Sequence, residues 1–260
     1  MSIFKFKEFE VAQDRCAQKI GTDGVLLGAW ASTDKHPHSI LDVGTGTGVI
    51  ALMLAQRFHN AQVEAIELDE NAYEQAATNF ENSPWGDRLF CFRASFQEFY
   101  EEIDERYDLI ISNPPFFDSS SIKDATEMDD ARTQARFDSA LSFEELIYGV
   151  YQLLDDDGVF ACIIPHDREQ RFLEIAIHFK LSPSRITHVK GTKGNEIKRS
   201  LIELRFGPVM QRDELDNSLS RKRNNQSGIK TNADLLTIET SRHQYTDDYI
   251  ALVKDFYLKM

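Results

Sequence analysis

The chain has 260 residues, of which 42% are hydrophobic, so it can bury a substantial core as one large domain or as one domain with an appendage. Its formal net charge of −14 argues against a general nucleic-acid coat protein, because neutralising phosphates requires positive charge. The sequence has no apolar signal region and no uncharged apolar run of about 18 residues, so we expect a cytoplasmic protein that does not span a membrane.

Short apolar runs alternate with helical patterns through the first two thirds of the chain. The predicted strands are residues 39–44, 63–67, 89–93, 107–112 and 159–164. The predicted helices are residues 49–57, 71–80, 96–103, 143–154 and 168–179. Strands that alternate with helices form βαβ units, so this pattern predicts an α/β fold with a largely parallel sheet and helices on both faces.

The pattern changes after residue 180. Residues 185–189 and 201–206 are consecutive strands, which we expect to form an antiparallel pair at the sheet edge. Residues 208–233 are polar and rich in Asn, Ser and Arg, which predicts a long flexible insertion. A strand over 235–239 and an amphipathic helix over 247–259 close the chain. The resulting division is an N-terminal segment packing on the core (1–38), a core (39–207), a basic flexible insertion (208–234), and a closing strand and helix of the same domain (235–260).

Positive charge is concentrated in one part of the chain. Residues 181–230 contain 11 Lys and Arg against 5 Asp and Glu. They could form a basic surface, with Arg221, Lys222 and Arg223 as its densest run, although a solvated loop explains any single one of them as well. The three cysteines (Cys16, Cys91 and Cys162) have neither CxxC spacing nor histidines at metal-ligand spacing, so we expect reduced thiols and no metal site.

The first chemical motif lies between the first predicted strand and helix, in the stretch LDVGTGTG over residues 41–48. Glycines at alternate positions let a ligand approach the backbone, and the helix that follows offers unpaired N–H groups. A dinucleotide fingerprint would need a small residue where Val49 stands. The spacing instead resembles motif I of class I S-adenosylmethionine-dependent methyltransferases; the alternative is a glycine turn without a ligand. The resemblance implies an acid near the amino group of the cofactor and glycines beside its methionine part, here Asp42, Gly44, Gly46 and Gly48.

Further candidates for the cofactor site follow the second and third strands. Glu67 lies 19 positions beyond Gly48, where a carboxylate can accept hydrogen bonds from both ribose hydroxyls of an adenosine. Leu68 could cover one face of the adenine, and we expect the neighbouring Asp69 to cap the next helix. Ser95 stands where methyltransferases often place an acid that faces the adenine amino group, and its hydroxyl could still accept a hydrogen bond.

The second chemical motif ends the fourth predicted strand, in the stretch DLIISNPPFF over residues 108–117. Asn113-Pro-Pro-Phe116 resembles the N-P-P-aromatic signature of methyltransferases that act on planar nitrogens. The Asn113 side-chain oxygen and the Pro114 carbonyl can accept the two hydrogens of an exocyclic amine and direct its lone pair for in-line transfer, while proline rigidity fixes the carbonyl. Phe116 offers a stacking face for the base, and we assign Pro115 and Phe117 to substrate binding. Prolines that merely end a strand would explain neither Asn113 nor the order of the motifs.

The N-terminal stretch KIGTDGVLLGAW over residues 19–30 indicates which family of methyltransferases the sequence resembles. It resembles the bacterial tRNA(Val) adenine-37 N6-methyltransferase family, as do residues 83–85, 108–117, 131–136 and 255–258. The resemblance covers residues 1–207 and 235–260. It implies a Rossmann-like, seven-stranded class I methyltransferase sheet that is mostly parallel with an antiparallel edge, S-adenosylmethionine as methyl donor, and N6 of adenosine 37 of tRNA(Val) as acceptor. Thr22 would face the cofactor and Asp23 the entering base, unless this block only turns the chain before a buried helix. We expect a monomer.

Three other functions remain as alternatives. N-P-P-aromatic sites also serve enzymes that methylate the 2-amino group of guanine in ribosomal RNA or the side-chain amide of a protein glutamine. The GTDG block disfavours both, and neither end of the chain carries a substrate domain of suitable length. A non-catalytic binding module would have no physical need for Asp42, Glu67 and Asn113 together.

Overall fold

The computed structural model describes residues 2–32, 36–115, 141–207 and 233–260. The strands in these ranges are β1 (Ile3–Lys5), β2 (Glu10–Ala12), β3 (Ser39–Val43), β4 (Gln62–Glu67), β5 (Leu89–Arg93), β6 (Tyr107–Ser112), β7 (Leu154–Pro165), β8 (Leu181–Thr192), β9 (Arg199–Phe206), β10 (Asp234–Ser241) and β11 (Gln244–Tyr245). The α-helices are α1 (Thr22–Trp30), α2 (Val49–Arg57), α3 (Glu70–Glu81), α4 (Phe96–Glu102), α5 (Phe143–Leu153), α6 (Glu169–His178) and α7 (Asp247–Val253).

Nine of the strands form one sheet, in the order β11-β10-β8-β9-β7-β6-β3-β4-β5. The five strands from β5 to β7 are mutually parallel, and β9 runs antiparallel to both β7 and β8. The α/β prediction is therefore confirmed, including the antiparallel pair. The predicted count of seven strands is wrong, because β10 adds to β8 in parallel and the short β11 turns back along it, so two strands lie outside the pair that we expected at the edge.

The sheet separates two hydrophobic layers because successive side chains on a strand point to opposite faces. Ile40 of β3 and Ile111 of β6 belong to the layer under α1, α2 and α7. Leu41 and Ile110, the adjacent residues, belong to the layer under α4, α5 and α6. Among the described helices the longest, α3, has 12 residues, and none of them combines the length and apolar character that crossing a bilayer requires.

The two ends of the chain pack together. The hairpin of β1 and β2 lies beside the residues that follow α7: Phe6 forms a bridge with Tyr257, and the N–H of Lys7 donates to the carbonyl of Phe256 at 2.9 Å. After α7 the chain turns, because the N–H groups of Phe256 and Tyr257 both donate to the carbonyl of Val253. The predicted helix over 247–259 was therefore too long, since the observed helix ends at Val253 and has seven residues.

Candidate cofactor and substrate site

The carboxyl ends of three central strands lie level at one edge of the sheet. Val43 of β3 pairs with Ile66 of β4 on one side and with Ser112 of β6 on the other. The next residues along each strand, Gly44, Glu67 and Asn113, therefore stand side by side. In an open α/β sheet this edge is where ligands bind, so the two sequence motifs meet at the expected place.

Asp42 is a fully buried carboxylate beneath the glycine turn. Its Oδ2 accepts a hydrogen bond of 2.6 Å from the Thr45 hydroxyl, whereas its Oδ1 is buried without a partner among the described residues. Burial raises the pKa of the Asp42 carboxyl to about 7. A buried acid with an unused oxygen is energetically unfavourable by itself and is suited to a donor or cation that arrives from outside the chain.

The three positions of the turn require glycine for different physical reasons. All three have left-handed backbone angles, with φ of 72° at Gly44, 58° at Gly46 and 81° at Gly48. A Cβ built on Gly44 or Gly46 would meet nothing within 4 Å, so space lies open beside both residues. A Cβ on Gly48 would lie 2.5 Å from Cε1 of Phe80, so this glycine is required for packing against α3. Only the first two border space that a ligand can enter.

The Glu67 side chain accepts hydrogen bonds from two turns at the end of β4. Its Oε2 accepts from the N–H of Gly46 at 2.9 Å, and its Oε1 accepts from the N–H of Asp69 at 3.0 Å. Each carboxylate oxygen can accept a further hydrogen bond, so the side chain is oriented by the protein and still able to bind hydroxyls. The expectation that Asp69 caps the next helix is confirmed, since its side chain accepts from the N–H of Ala72.

Two other candidates border the same edge. Leu68 is an apolar side chain with 47% of its surface exposed, directly after Glu67. Ser95 follows β5 and caps α4: its hydroxyl accepts from the N–H of Glu98 and donates to the Glu98 carboxylate at 2.8 Å. The Ser95 hydroxyl therefore has a structural partner in both directions, and one lone pair remains. The S-x-x-E spacing of Ser95 and Glu98 is the sequence signal that could have predicted this capping box.

Asn113 follows β6 directly and carries a second buried oxygen, its side-chain Oδ1, without a partner among the described residues. Pro114 is buried and Pro115 is exposed. A buried acceptor that stays unsatisfied costs about 1–3 kcal/mol, so this oxygen is suited to accept a hydrogen bond from a donor. Phe116 and Phe117 lie outside the described residues.

Thr22 and Asp23 begin α1, which packs against α2. A Cβ built on Gly24 would contact Val49 and Ile50 at 3.6 and 3.8 Å, so the start of α1 lies beside the start of α2 and the glycine turn. The carboxylate of Asp23 accepts a hydrogen bond of 2.8 Å from Nε of Arg199, and Thr22 is exposed. The GTDG block is therefore both the start of a buried helix and a neighbour of the site.

One polar cluster at this edge was not predicted from the sequence. Glu169, at the start of α6, accepts from His188 at 2.8 Å and from the Ser200 hydroxyl, and His166 Nδ1 lies 3.3 Å from the same carboxylate oxygen. Two imidazoles and a carboxylate are also a common metal-ligand set. The hydrogen bonds account for the arrangement, which joins α6 to β8 and β9. Only the H-x-x-E spacing of the first two residues was visible in the sequence.

The comparisons with known proteins agree on a methyltransferase family. Residues 20–133 match the family described as "Methyltransferase small domain". The chain is 53% identical over 259 residues to the tRNA1(Val) (adenine(37)-N6)-methyltransferase of Christiangramia forsetii, with 99% of this chain and 98% of the relative covered. It is 42% identical over 258 residues to the protein of the same name from Parabacteroides distasonis, with the same shares covered.

Solved structures show the fold alone. A predicted O-methyltransferase from Agrobacterium tumefaciens superimposes with a TM-score of 0.62 at 18% identity, over 90% of this chain and 96% of that chain. TYW2 of Pyrococcus horikoshii, solved in complex with MeSAdo, gives a TM-score of 0.54 at 14% identity over 78% of this chain and 70% of that chain. Both likenesses support the methyltransferase fold seen here.

Proposed function

We propose that this protein methylates N6 of adenosine 37 in tRNA(Val) with S-adenosylmethionine as donor, because the chain belongs to the tRNA1(Val) (adenine(37)-N6)-methyltransferase family. The observation that carries this proposal is the Oδ1 of Asn113, which is buried without a hydrogen-bond partner among the described residues and lies level with the glycine turn and Glu67. An acceptor fixed at that place is what an exocyclic amine requires.

The residues around the glycine turn fit the cofactor. Asp42 Oδ1 is buried without a partner among the described residues, and the space beside Gly44 and Gly46 is open. When bound, S-adenosylmethionine supplies an electrophilic methyl group on a positively charged sulfur. We assign its amino group to Asp42, its ribose hydroxyls to Glu67 and its adenine to the region bordered by Leu68 and Ser95, with Thr22 at the entrance.

Asn113 and Pro114 position the adenine amino group that accepts the methyl group. The adenine amino group is a weak nucleophile because its lone pair is delocalised into the ring. Its two hydrogens can be donated to Asn113 Oδ1 and to the carbonyl of Pro114, which draws the nitrogen toward tetrahedral geometry. Both acceptors are attached to a central strand, so little reorganisation is needed, and this kind of preorganised contact stabilises developing charge. The stacking role expected of Phe116 belongs to the same proposal, as do the substrate contacts of Pro115, Phe117 and Asp23.

A single assay tests the proposed function against its alternatives. Purified protein is incubated with methyl-labelled S-adenosylmethionine and, in separate reactions, total tRNA, ribosomal RNA or cell-extract protein, and the labelled nucleoside or amino acid is identified by mass spectrometry. The proposal predicts N6-methyladenosine at position 37 of tRNA(Val). Label in N2-methylguanosine or in a protein glutamine would contradict it, and so would the absence of any transfer.

A further inference from the structure

We infer that the turn between β8 and β9, with Lys190, Lys193 and Lys198, binds the phosphate backbone of the tRNA beside the target nucleotide. This inference rests on the proposed function and names the surface that holds its substrate. The turn is defined here as residues 190–198. Three properties support the inference: the place that the strand order gives this turn, its charge, and the contacts that fix it.

The strand order puts this turn at the same edge as Asn113. Both β7 and β8 run antiparallel to β9, so β8 points in the direction of β7, which is parallel to β6. Ser112 pairs with Cys162 of β7, and Pro165, three residues later, pairs with Arg199 at the start of β9. The 190–198 turn therefore projects beyond the carboxyl ends of the strands, on the side of the site formed by β6 and β7.

The turn has a net positive charge on a chain that is acidic as a whole. It carries three lysines and one acid, Glu196, on a protein of net charge −14. Lys193 and Lys198 are exposed, and neither forms a salt bridge with a described residue. Lys190 donates to the carbonyl of Lys193 at 3.0 Å, which fixes its ammonium group over the turn. An acidic enzyme that binds a polyanion needs a local basic surface, because phosphate neutralisation and counterion release supply most of the affinity.

The turn is also held next to the glycine turn. Arg199, which follows the turn, donates to the carboxylate of Asp23 at 2.8 Å, and Asp23 begins the helix that packs beside Val49. Within the turn, the N–H of Asn195 donates to the carbonyl of Thr192 at 3.0 Å. A surface fixed in this way can orient a backbone as well as attract it, so that the adenine enters at Asn113.

The strand order fixes the 190–198 turn at the site edge and the other end of β9 away from it. Phe206, the last residue of β9, pairs with Leu181 at the start of β8, so β9 ends at the amino edge of the sheet, opposite Asn113. Arg221, Lys222 and Arg223, which the sequence suggested as an RNA contact, lie outside the described residues. Among the described residues, the lysines of the 190–198 turn are a basic group that the strand order places at the site edge.

Two triple variants with equal loss of charge test this inference. Lys190, Lys193 and Lys198 are changed to Ala in one, and Arg221, Lys222 and Arg223 in the other. The tRNA dissociation constant is measured as a function of salt, together with S-adenosylmethionine affinity, melting temperature and the single-turnover rate at saturating tRNA. We expect the first variant to lower the salt slope by about 2 and to weaken tRNA binding by about tenfold or more, with S-adenosylmethionine affinity and melting temperature unchanged. Its single-turnover rate at saturating tRNA should fall as well, because the turn orients the bound backbone. The second variant should change the slope much less.

A 190–198 variant that binds tRNA with the wild-type affinity and salt slope would overturn the inference. If the 221–223 variant then shows the whole loss, the tRNA contact belongs to residues 221–223 instead. Failure of the proposed function would be visible separately, as a wild-type protein that methylates no tRNA, and the inference would fall with it.

Discussion

Glu67 and Gly46 are joined by a hydrogen bond of 2.9 Å from the backbone N–H of the glycine to Oε2 of the carboxylate. This contact connects the end of β4 to the turn that begins α2, across 21 positions of sequence. The acid that we assign to the ribose therefore also holds the turn that we assign to the methionine part. Loss of Glu67 should affect the binding of both parts.

Glu67→Ala should weaken S-adenosylmethionine binding by about tenfold or more. Each charge-assisted hydrogen bond to a ribose hydroxyl contributes about 1.5–3 kcal/mol, and the N–H of Gly46 would lose its partner as well. Isothermal titration calorimetry measures the change, with Glu81→Ala as a control because Glu81 is exposed at the end of α3. Unchanged affinity in the Glu67 variant would remove this residue from the site.

Asp42→Asn should stabilise the protein without cofactor while weakening cofactor binding. Burial raises the pKa of the Asp42 carboxyl from 3.8 to about 7, so the unfolded chain loses this proton at lower pH than the folded chain. The carboxyl therefore lowers stability progressively as pH rises from about 4 to 7, and the variant removes that loss. Melting temperatures without cofactor should converge below about pH 4, and the variant should melt at the higher temperature at pH 7. A wild type that melts above the variant at pH 7 would contradict this expectation.

The same carboxyl predicts a pH dependence of binding. The cationic amino group of the cofactor favours ionised Asp42, so the affinity of the wild type should increase between about pH 5.5 and 7. Calorimetry across this range should show the increase in the wild type and a much flatter profile in Asp42→Asn. Parallel profiles for the two proteins would show that another group is responsible.

Substitutions of Gly48 and Gly46 should distinguish a loss of core packing from a loss of cofactor binding. Gly48→Ala places a Cβ 2.5 Å from Phe80 and should lower the free energy of unfolding by about 1–3 kcal/mol. Gly46→Ala adds a Cβ to open space, so it should cost only the strain of a left-handed backbone, about 1 kcal/mol, while weakening cofactor binding. Denaturant unfolding and calorimetry measure the two quantities. Adding Phe80→Leu should partly restore the stability of Gly48→Ala, and equal instability of both single variants would contradict this distinction.

Much of the fold was predictable because its central strands are short apolar runs bounded by helices of clear periodicity. The bounds of α2 and β6 match the prediction, and β8 and β9 pair as expected. The helix α1 was expected only as the alternative interpretation of the GTDG block, because its nine residues are buried almost throughout and show no amphipathic pattern. The three-residue strands β1 and β2 are too short for alternation to be recognised.

Motif spacing proposed Asp42, Glu67 and Asn113 as site residues, and the strand register brings the ends of their three strands together at one edge of the sheet. Their contacts could not be predicted from the sequence. The hydrogen bonds of Glu67 to Gly46 and of Arg199 to Asp23 depend on contacts 21 and 176 positions apart, which periodicity does not report. The position of residues 190–198 at the site edge likewise follows from strand order, which a single sequence does not determine.

Asn113→Ala should abolish most of the methyl transfer while leaving cofactor binding and stability intact. The hydrogen bond from the reacting amine to Asn113 Oδ1 strengthens as the nitrogen gains positive charge, so it acts mainly in the transition state. Because Oδ1 is buried without a partner among the described residues, its removal should not lower the melting temperature. A purely structural role would instead lower the melting temperature together with the rate. Asn82→Ala, at the exposed end of α3, is the matched control.

The single-turnover rate of Asn113→Ala at saturating tRNA and S-adenosylmethionine tests the central claim most directly. We predict a rate about 10²–10³-fold below that of the wild type, the loss typical of a preorganised polar contact, with cofactor affinity within about twofold of the wild type. A rate within about threefold of the wild type would contradict the account, since Asn113 would then end its strand without taking part in methyl transfer.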